Sequence, residues 1–194
     1  HRDLHSFPTR RSSDLTSIAD ETDTTLQNVS TISARAVGDD IQVFAAGSET
    51  GITEFTIDLG ALGASVNGND LDNTLTGGAL DDLLVGRDGD DTLDGGAGND
   101  RLIDGAGVDS MTGGAGADVF VFTPDNRMDT VTDFDITEDR LDLSAFLFLY
   151  DTSRLDFTQK GYGVLIQYGS DRIRIEDDDK TLQVADLTED HFIF

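Results

Sequence analysis

A nine-residue period governs the sequence from Gly68 to Val121. In register, its six units read GNDLDNTLT, GGALDDLLV, GRDGDDTLD, GGAGNDRLI, DGAGVDSMT and GGAGADVFV. The sixth position holds Asn73, Asp82, Asp91, Asp100, Asp109 and Asp118, and the eighth holds Leu75, Leu84, Leu93, Leu102, Met111 and Phe120. One short unit cannot bury its apolar residue alone, so units with this period must stack on one another. The sequence therefore predicts a repeat architecture in which each unit contacts its neighbours.

The composition of each unit indicates how it folds. Glycine at positions one, two and four allows backbone angles with positive φ, so these positions form a turn that directs carbonyl oxygens inward. Positions seven to nine then form a three-residue strand, in which only the residue at position eight points inside. Two units close one coil of eighteen residues, which stacks each position-six Asp on the Asp eighteen residues later. We expect an all-β fold, a parallel β-roll (β-solenoid) over residues 68–121.

The acidic charge of the predicted roll requires a partner of opposite sign. The six units carry twelve Asp and two Arg. Two stacked carboxylates about 5 Å apart repel by roughly 1 kcal/mol in water, and by more where solvent is excluded. The chain has no Cys, so a metal would need oxygen ligands. Calcium suits a cage of protein oxygens better than magnesium, which retains its water, and its binding free energy becomes folding free energy.

The alternative for this segment is an acidic, glycine-rich disordered linker. A linker offers no reason to keep an apolar residue at every ninth place. We therefore assign the unfolded state to the calcium-free protein and the β-roll to the calcium-loaded protein.

The residues before the repeats form two segments of different composition. Residues 1–15 read HRDLHSFPTRRSSDL, and residues 3–15 resemble the translation of a sequencing-adapter oligonucleotide. We interpret 1–15 as a disordered artefact, the alternative being a disordered native tail, and we expect the native chain to begin further upstream. Residues 16–67 contain alternating apolar and polar stretches at 41–44 and 52–57, which predict a β-hairpin with its loop at 47–51. Because two or three strands alone are marginally stable, we interpret 16–67 as the remnant of an upstream β-domain, and it resembles a propeller blade.

Glycine becomes rare after Phe122, and apolar stretches return. The pattern predicts strands at 131–134 and 141–143, a hairpin of 163–168 with 171–176, and a helical turn at 182–187. Residues 122–194 are thus expected to form a β-rich cap that closes the open end of the roll.

The G-G-x-G-x-D units resemble those of the C-terminal region of RTX (repeats-in-toxin) haemolysin-type calcium-binding proteins, and the resemblance covers about residues 68–194. In that family, an ion lies between turns two repeats apart. It is held by both position-six Asp residues, by carbonyls two and four of the earlier turn and by carbonyls one and three of the later turn. The resemblance implies three sites here: Gly96, Gly98 and Asp100 with Gly113, Ala115 and Asp118; Arg87, Gly89 and Asp91 with Asp104, Ala106 and Asp109; and Gly78, Leu80 and Asp82 with Gly95, Ala97 and Asp100. We expect the third to be weaker, since Leu80 replaces a glycine, and a site pairing Asn73 with Asp91 to be weak or absent.

The segments 117–122, 129–134 and 139–144 are similar to the cap of serralysin-like C-terminal domains. The chain ends Asp-His-Phe-Ile-Phe at 190–194, which resembles the uncleaved C-terminal signals of type I export. The alternative is a terminal strand that packs on the cap. The resemblance implies a secreted, extracellular protein whose partners are calcium ions and the type I secretion machinery, and we expect a monomer.

Composition and missing motifs argue against other classes of function. The net charge of −26 disfavours nucleic acid and anionic membrane surfaces. The longest apolar run, Ala145 to Leu149, is too short to span a bilayer. The sequence has no H-E-x-x-H and no G-x-S-x-G, and His191 is the only histidine after residue 15. The acidic run 177–179 is typical of a solvated loop. We expect no catalysis by this chain.

The sequence therefore predicts calcium binding that drives the folding of a C-terminal secretion module. The module would belong to a larger, type I-exported extracellular bacterial protein. Two alternatives remain at this point. The chain could be the remnant of a secreted serralysin-like metalloprotease whose catalytic domain lies upstream, or a segment of a calcium-dependent adhesin or surface layer.

Overall fold

The structure is a computed structural model that describes residues 31–37, 40–46, 55–56, 64–68, 70–177 and 179–194. The predicted artefact at 1–15 and the predicted loop at 47–51 lie outside these ranges. The described strands are β1 (Thr31–Val37), β2 (Asp40–Ala46), β3 (Phe55–Thr56), β4 (Ala64–Asn67), β5 (Thr74–Gly78), β6 (Leu83–Asp88), β7 (Thr92–Ala97), β8 (Arg101–Ala106), β9 (Ser110–Ala115), β10 (Val119–Val121), β11 (Met128–Val131), β12 (Arg140–Asp142), β13 (Asp156–Lys160), β14 (Gly163–Tyr168), β15 (Asp171–Glu176) and β16 (Phe192–Ile193). Short 3₁₀ turns span Thr152–Arg154, Val184–Asp186 and Glu189–His191.

The repeats form the predicted parallel β-solenoid. Successive strands alternate between two sheets, so that β4, β6, β8 and β10 are neighbours in one sheet and β5, β7 and β9 in the other. Each strand pairs in parallel with the strand eighteen residues later, as in the pairs Leu84 with Leu102 and Leu93 with Met111. This register confirms that two units close one coil.

The core of the solenoid is a double row of apolar side chains. The residues at position eight, Leu75, Leu84, Leu93, Leu102, Met111 and Phe120, are each at most 1 % exposed. Because paired strands superpose these residues at every coil, each side chain packs on its equivalents above and below. One apolar residue per nine is enough to form a continuous core when the repeats stack.

The strands are longer than the three residues predicted. Strands β6 to β9 have six residues each, because the ladder continues into the first three positions of the next unit. Alternation then gives each strand a second inward position, which is position one of the next unit and is buried. Glycine fills this place in most units, and its missing side chain leaves room beside the apolar row.

The predicted hairpin of 41–44 with 52–57 is wrong. Strand β2 pairs antiparallel with β1 and parallel with β4, whereas β3 lies in the opposite sheet and pairs with β5. The chain crosses from one sheet to the other between β2 and β3, as it does within each coil of the roll. The strands before residue 68 thereby continue the two sheets of the solenoid.

The cap continues both sheets at the other end. Strand β12 pairs with β10, and β11 pairs with β9. The predicted hairpin of 163–168 with 171–176 forms as β14 and β15, while β13 was not predicted. A strand was predicted at 131–134, but the observed strand β11 ends at Val131. Residues 132–134 bend away from it and place the Phe134 ring 6.3 Å from the Phe120 ring. This packing covers the last layer of the apolar row.

The C-terminal residues are part of the cap. Strand β16 pairs in parallel with β12, and the buried Phe192 stacks on Phe194. The Nε2 atom of His191 lies 2.9 Å from the Ile136 carbonyl oxygen. The Thr188 amide donates to the Nδ1 atom of His191, also at 2.9 Å. The alternative interpretation of 190–194, a terminal strand packed on the cap, thus describes its structure in the folded chain. Among the described residues, no helix has the length and apolar character needed to cross a membrane.

Candidate metal centre

The residues at position six form two buried ladders along the solenoid. One ladder contains Asn73, Asp91, Asp109 and Asp129, and the other contains Asp82, Asp100, Asp118 and Asp139. Within each ladder, the Oδ1 atom accepts the backbone amide of the ladder residue one coil earlier. The amide-to-oxygen distances are 2.7 Å for Asn73 to Asp91, Asp82 to Asp100 and Asp91 to Asp109, 2.8 Å for Asp100 to Asp118, 3.0 Å for Asp109 to Asp129 and 2.9 Å for Asp118 to Asp139. Each carboxylate thereby ties one turn to the next.

In four of these carboxylates, the second oxygen has no such donor. The Oδ2 atoms of Asp91, Asp100, Asp109 and Asp118 are buried and accept no hydrogen bond. A buried ionised oxygen without a donor or a cation is costly, and buried charges in proteins are normally paired or bound to metal. The same kind of oxygen, in the same place, recurs at each coil.

Backbone carbonyls lie beside these oxygens. A side chain at Gly95 would collide with Asp100 Oδ2 and would lie 2.7 Å from the Gly113 carbonyl oxygen. A side chain at Gly86 would collide with Asp91 Oδ2 and with the Asp104 carbonyl oxygen. The space kept open by a position-one glycine is therefore lined by a carboxylate oxygen and by a carbonyl oxygen of the next coil.

Glycines with positive φ hold the turns close together. Positions two and four take φ values of 101° at Gly96, 129° at Gly98, 94° at Gly114 and 136° at Gly116. A side chain at Gly114 or Gly116 would collide with the carbonyl oxygen of Gly96 or Gly98, one coil earlier. Only glycine combines this conformation with so close an approach of two backbones.

The structure brings the residues of the first two predicted sites together on adjacent turns. The Gly98 amide donates to the Ala115 carbonyl at 2.9 Å, and the Gly89 amide donates to the Ala106 carbonyl at the same distance. Arg87 occupies position two with φ 84°, the conformation that glycine has at this position in the later units. Each carbonyl keeps a second lone pair after accepting one amide, so these bonds leave capacity for an ion.

The third predicted site has a different turn. Neither Gly78 nor Leu80 has a positive φ, although Gly96 and Gly98 do at the equivalent positions one coil later. Leu80 is 43 % exposed. Asp82, Asp100 and the carbonyl of Gly95 nonetheless lie at the same coil interface, since a side chain at Gly77 would reach both Asp82 Oδ2, at 2.6 Å, and the Gly95 carbonyl oxygen. The difference is confined to the residues around Leu80.

The electrostatics of the ladders favour uptake of a cation. Burial raises the pKa of Asp91, Asp100, Asp129 and Asp139 to about 7, that of Asp109 to about 6 and that of Asp118 above its usual range. The accepted backbone amides oppose this rise, and neighbouring carboxylates add to it. A bound divalent ion replaces the missing positive charge and keeps these groups ionised at neutral pH.

Three buried acidic residues, two in the ladders and one beside them, were missed as candidate side-chain ligands. Asp129 follows Asp109 by 20 residues and Asp139 follows Asp118 by 21, so insertions in the cap break the period of eighteen. Asp104 was assigned only a carbonyl role, yet its side chain is fully buried. Oxygens of Asp104, Asp109 and Asp129 all lie within 4.8 Å of one another. The Asp-Thr-Val and Asp-Arg-Leu segments, each an Asp two residues before an apolar one, carried the signal for Asp129 and Asp139.

The residues present fit calcium. Carboxylate and carbonyl oxygens are the ligands that this hard ion prefers, and the ladders supply both at each coil interface. When bound, calcium would supply positive charge between turns. Within the part of the chain that the structure describes, the buried aspartates lie in or beside the two ladders or in the cap, and no catalytic site is shown.

A family model of calcium-binding repeats matches the part of the chain that carries these donors. Residues 67–102 and 94–126 match the family of the RTX calcium-binding nonapeptide repeat (4 copies). A search of curated proteins found no match. Similar solved structures include two repeat subunits of the mannuronan C5-epimerase of Azotobacter vinelandii. The R3 subunit of AlgE6 is 29 % identical, with 66 % of this chain and 80 % of that subunit covered and a TM-score of 0.48. The R2 subunit is 26 % identical, with 66 % and 91 % covered and a TM-score of 0.49.

Proposed function

We propose that this chain, whose residues 67–126 match the family of the RTX calcium-binding nonapeptide repeat, is a calcium-triggered folding module of a secreted protein. The observation that carries this proposal is the row of buried Oδ2 atoms at Asp91, Asp100, Asp109 and Asp118 that accept no hydrogen bond. A fold that buries such oxygens is unfavourable without a cation and becomes favourable with one.

The proposed ligands are those of the three coil interfaces. The strongest of these three uses Gly96, Gly98 and Asp100 with Gly113, Ala115 and Asp118, and the second uses Arg87, Gly89 and Asp91 with Asp104, Ala106 and Asp109. The third uses Gly78, Leu80 and Asp82 with Gly95, Ala97 and Asp100, and it is weaker because its first turn lacks the positive-φ conformation. Calcium therefore fills the coils near the cap more tightly than those near residue 68.

Calcium concentration then decides where the module folds. Cytosolic free calcium is far below the affinity range of extracellular modules, about 10⁻⁴–10⁻³ M. Inside the cell, repulsion between the ladder carboxylates keeps the chain unfolded and able to pass through a narrow transporter. Outside the cell, calcium closes the coils and prevents return. We assign this transport to the type I secretion machinery and the folded product to the extracellular space.

The C-terminal residues fit a signal that is read before folding. Phe192 is buried, and β16 pairs with β12 in the folded cap. A receptor could therefore contact the Phe192 side chain only while the chain is unfolded. We propose that 190–194 direct export and then complete the cap.

Secretion by bacteria that carry a type I transporter tests the export step. We expect the full chain to reach the medium, a variant with 190–194 replaced by a Gly-Ser sequence to remain in the cell, and Phe148→Ala, a change at an exposed cap residue, to be exported normally. The Asp100→Ala variant distinguishes loss of the export signal from loss of folding. It weakens calcium-dependent folding but leaves residues 190–194 unchanged, so it should still be exported. Equal export with and without 190–194 would contradict the signal assignment.

Isothermal titration of chelator-stripped protein tests the ion-binding step. We expect tight binding of calcium and weak binding of magnesium at the same concentration, because magnesium retains its water. Equal affinity for both ions, or no binding of either, would contradict the proposal.

A further inference from the structure

Asp104 departs from the repeat in a way that the nonapeptide does not explain. Position one is glycine in the other five units, at Gly68, Gly77, Gly86, Gly95 and Gly113. Asp104 occupies this inward position in β8, and its side chain is 0 % exposed. A buried carboxylate in place of a glycine is costly unless something in the structure uses it.

The Asp104 side chain extends toward the cap. Its two oxygens accept the Thr123 amide at 2.9 and 3.1 Å, and one of them also accepts the Gly105 amide. Thr123 follows β10, one coil further along the solenoid. The carbonyl of Asp104 lies on the opposite side, where it faces Gly86 of the preceding coil. The backbone and the side chain of this residue therefore belong to two different coil interfaces.

Two more carboxylates meet Asp104 at the later interface. Oxygens of Asp104, Asp109 and Asp129 lie within 4.8 Å of one another, and all three residues are buried. Asp129 holds the Asp109 amide at 3.0 Å through Oδ1. None of these contacts supplies positive charge to the group.

An unsatisfied oxygen points to a ligand at this place. Asp109 is 2 % exposed, and its Oδ2 atom is buried without a hydrogen-bond partner. In the equivalent units, position one faces the Oδ2 atom of the same unit, since a side chain at Gly86, Gly95 or Gly113 would collide with Asp91, Asp100 or Asp118 Oδ2. In this unit an acidic side chain lies at that place, so the unsatisfied oxygen faces a second carboxylate. Two facing carboxylates require a cation or a shared proton between them.

We propose that Asp104, Asp109 and Asp129 form a three-carboxylate calcium site at the junction of the roll and the cap. The proposal rests on the proposed calcium-dependent folding and adds a site at the next coil interface toward the cap, which shares Asp109 with the second site assigned above. Affinity for calcium rises with the number of charged ligands, so this site binds more tightly than the two-carboxylate sites. It fills first, joins Asp129 of the cap to the last coils, and makes folding start at the cap end.

Three variants of the full chain separate this site from a structural role of Asp104. Asp104→Asn keeps the size of the side chain and removes its charge, and Asp104→Gly restores the repeat. Asp94→Asn is the control, because it removes the same charge from an exposed position of β7. Each protein is titrated with calcium by calorimetry after removal of metal. The calcium midpoint of folding is measured by far-UV circular dichroism, and the Tm is measured in saturating calcium.

In the wild-type protein we expect one calcium to bind at least tenfold more tightly than the others. Asp104→Asn and Asp104→Gly should lose this component and raise the calcium midpoint of folding, while Asp94→Asn changes neither. An unchanged tight component in Asp104→Asn would overturn the proposal. So would a lower Tm in saturating calcium with an unchanged calcium midpoint, which indicates that Asp104 acts only through its amide contacts. A wild-type protein without any calcium response would instead contradict the proposed function itself.

Discussion

At the scale of single residues, the position-six aspartate has two separable roles. Its Oδ1 atom accepts a backbone amide from the preceding coil, while its Oδ2 atom is left for the ion. The first role is structural and operates without metal. The second makes the same residue unfavourable without metal. The proposed calcium dependence therefore follows from the geometry of one carboxylate, repeated along each ladder.

Replacement of Asp100 should harm calcium binding more than replacement of Asp82. Asp100 lies between two predicted sites, whereas Asp82 takes part in one whose turn contains Leu80. Loss of a hydrogen bond to a charged group costs about 1.5–3 kcal/mol, and a lost ligand adds to this cost. We expect Asp100→Ala to raise the calcium midpoint of folding about tenfold or more, and Asp82→Ala about threefold or less.

Far-UV circular dichroism at increasing calcium concentration measures these midpoints. Asp94→Ala serves as the control, since Asp94 is exposed and lies outside the ladders. Equal midpoints for Asp100→Ala and Asp82→Ala would show that the assigned register of the sites is wrong.

The sequence was sufficient to predict the ladder residues Asp82 to Asp118, because their period of nine is uninterrupted. It was not sufficient for Asp129 and Asp139, which are displaced by insertions and come into line only through the pairing of β11 and β12 with the roll. The side-chain role of Asp104 was missed for another reason. The pattern predicted three-residue strands that end before position one, so it did not indicate that the side chain there points inward. The observed strands have six residues and bury this side chain.

At the scale of elements, turns and strands contribute different things. The glycine turns place the oxygens, and the strands stack the turns at a fixed register. For the N-terminal strands, the alternation of apolar and polar residues predicted that β2 and β3 are strands. It could not predict which sheet each of them joins. Partner choice depends on pairing with β4 and β5, which lie more than ten residues further along the chain.

The cap is the element whose loss should expose the apolar core. Phe192 of β16 is 7 % exposed and contacts the rings of Phe157 and Phe194 at centroid distances of 6.0 and 5.8 Å. Truncation of a buried Phe costs about 3–5 kcal/mol. We expect Phe192→Ala to lower the free energy of unfolding in calcium by about this amount, as measured by denaturant titration.

Phe148→Ala is the matched control for this experiment, because Phe148 also lies in the cap but is 67 % exposed. Its effect should stay within about 0.5 kcal/mol. If both variants lost the same stability, the packing of β16 against the cap would be wrong.

At the scale of the whole molecule, protons and calcium compete for the same carboxylates. The folded-state pKa values of Asp91, Asp100, Asp129 and Asp139 are raised to about 7, from an ordinary value of 3.8. Without metal, these groups stabilise the fold fully below their unfolded pKa, and this stability is lost as the pH rises through 7. Calcium must displace their protons, so its binding should weaken as the pH falls.

Two measurements check this linkage. In EDTA, the far-UV β signal should be larger at pH 5.5 than at pH 8, and in limiting calcium the order should reverse. Calcium addition at pH 6.5 should release protons into a weakly buffered solution. A β signal in EDTA that rises with pH would contradict the burial of ionised groups in the ladders.

The central claim is that calcium supplies the free energy that closes the coils. The most direct test is far-UV circular dichroism and hydrodynamic radius of the full, chelator-stripped chain during a calcium titration. We predict an expanded chain with little β signal in EDTA, a cooperative gain of β signal with compaction as calcium is added, and reversal by chelator. A compact chain whose spectrum is the same in excess EDTA and in calcium would contradict the account.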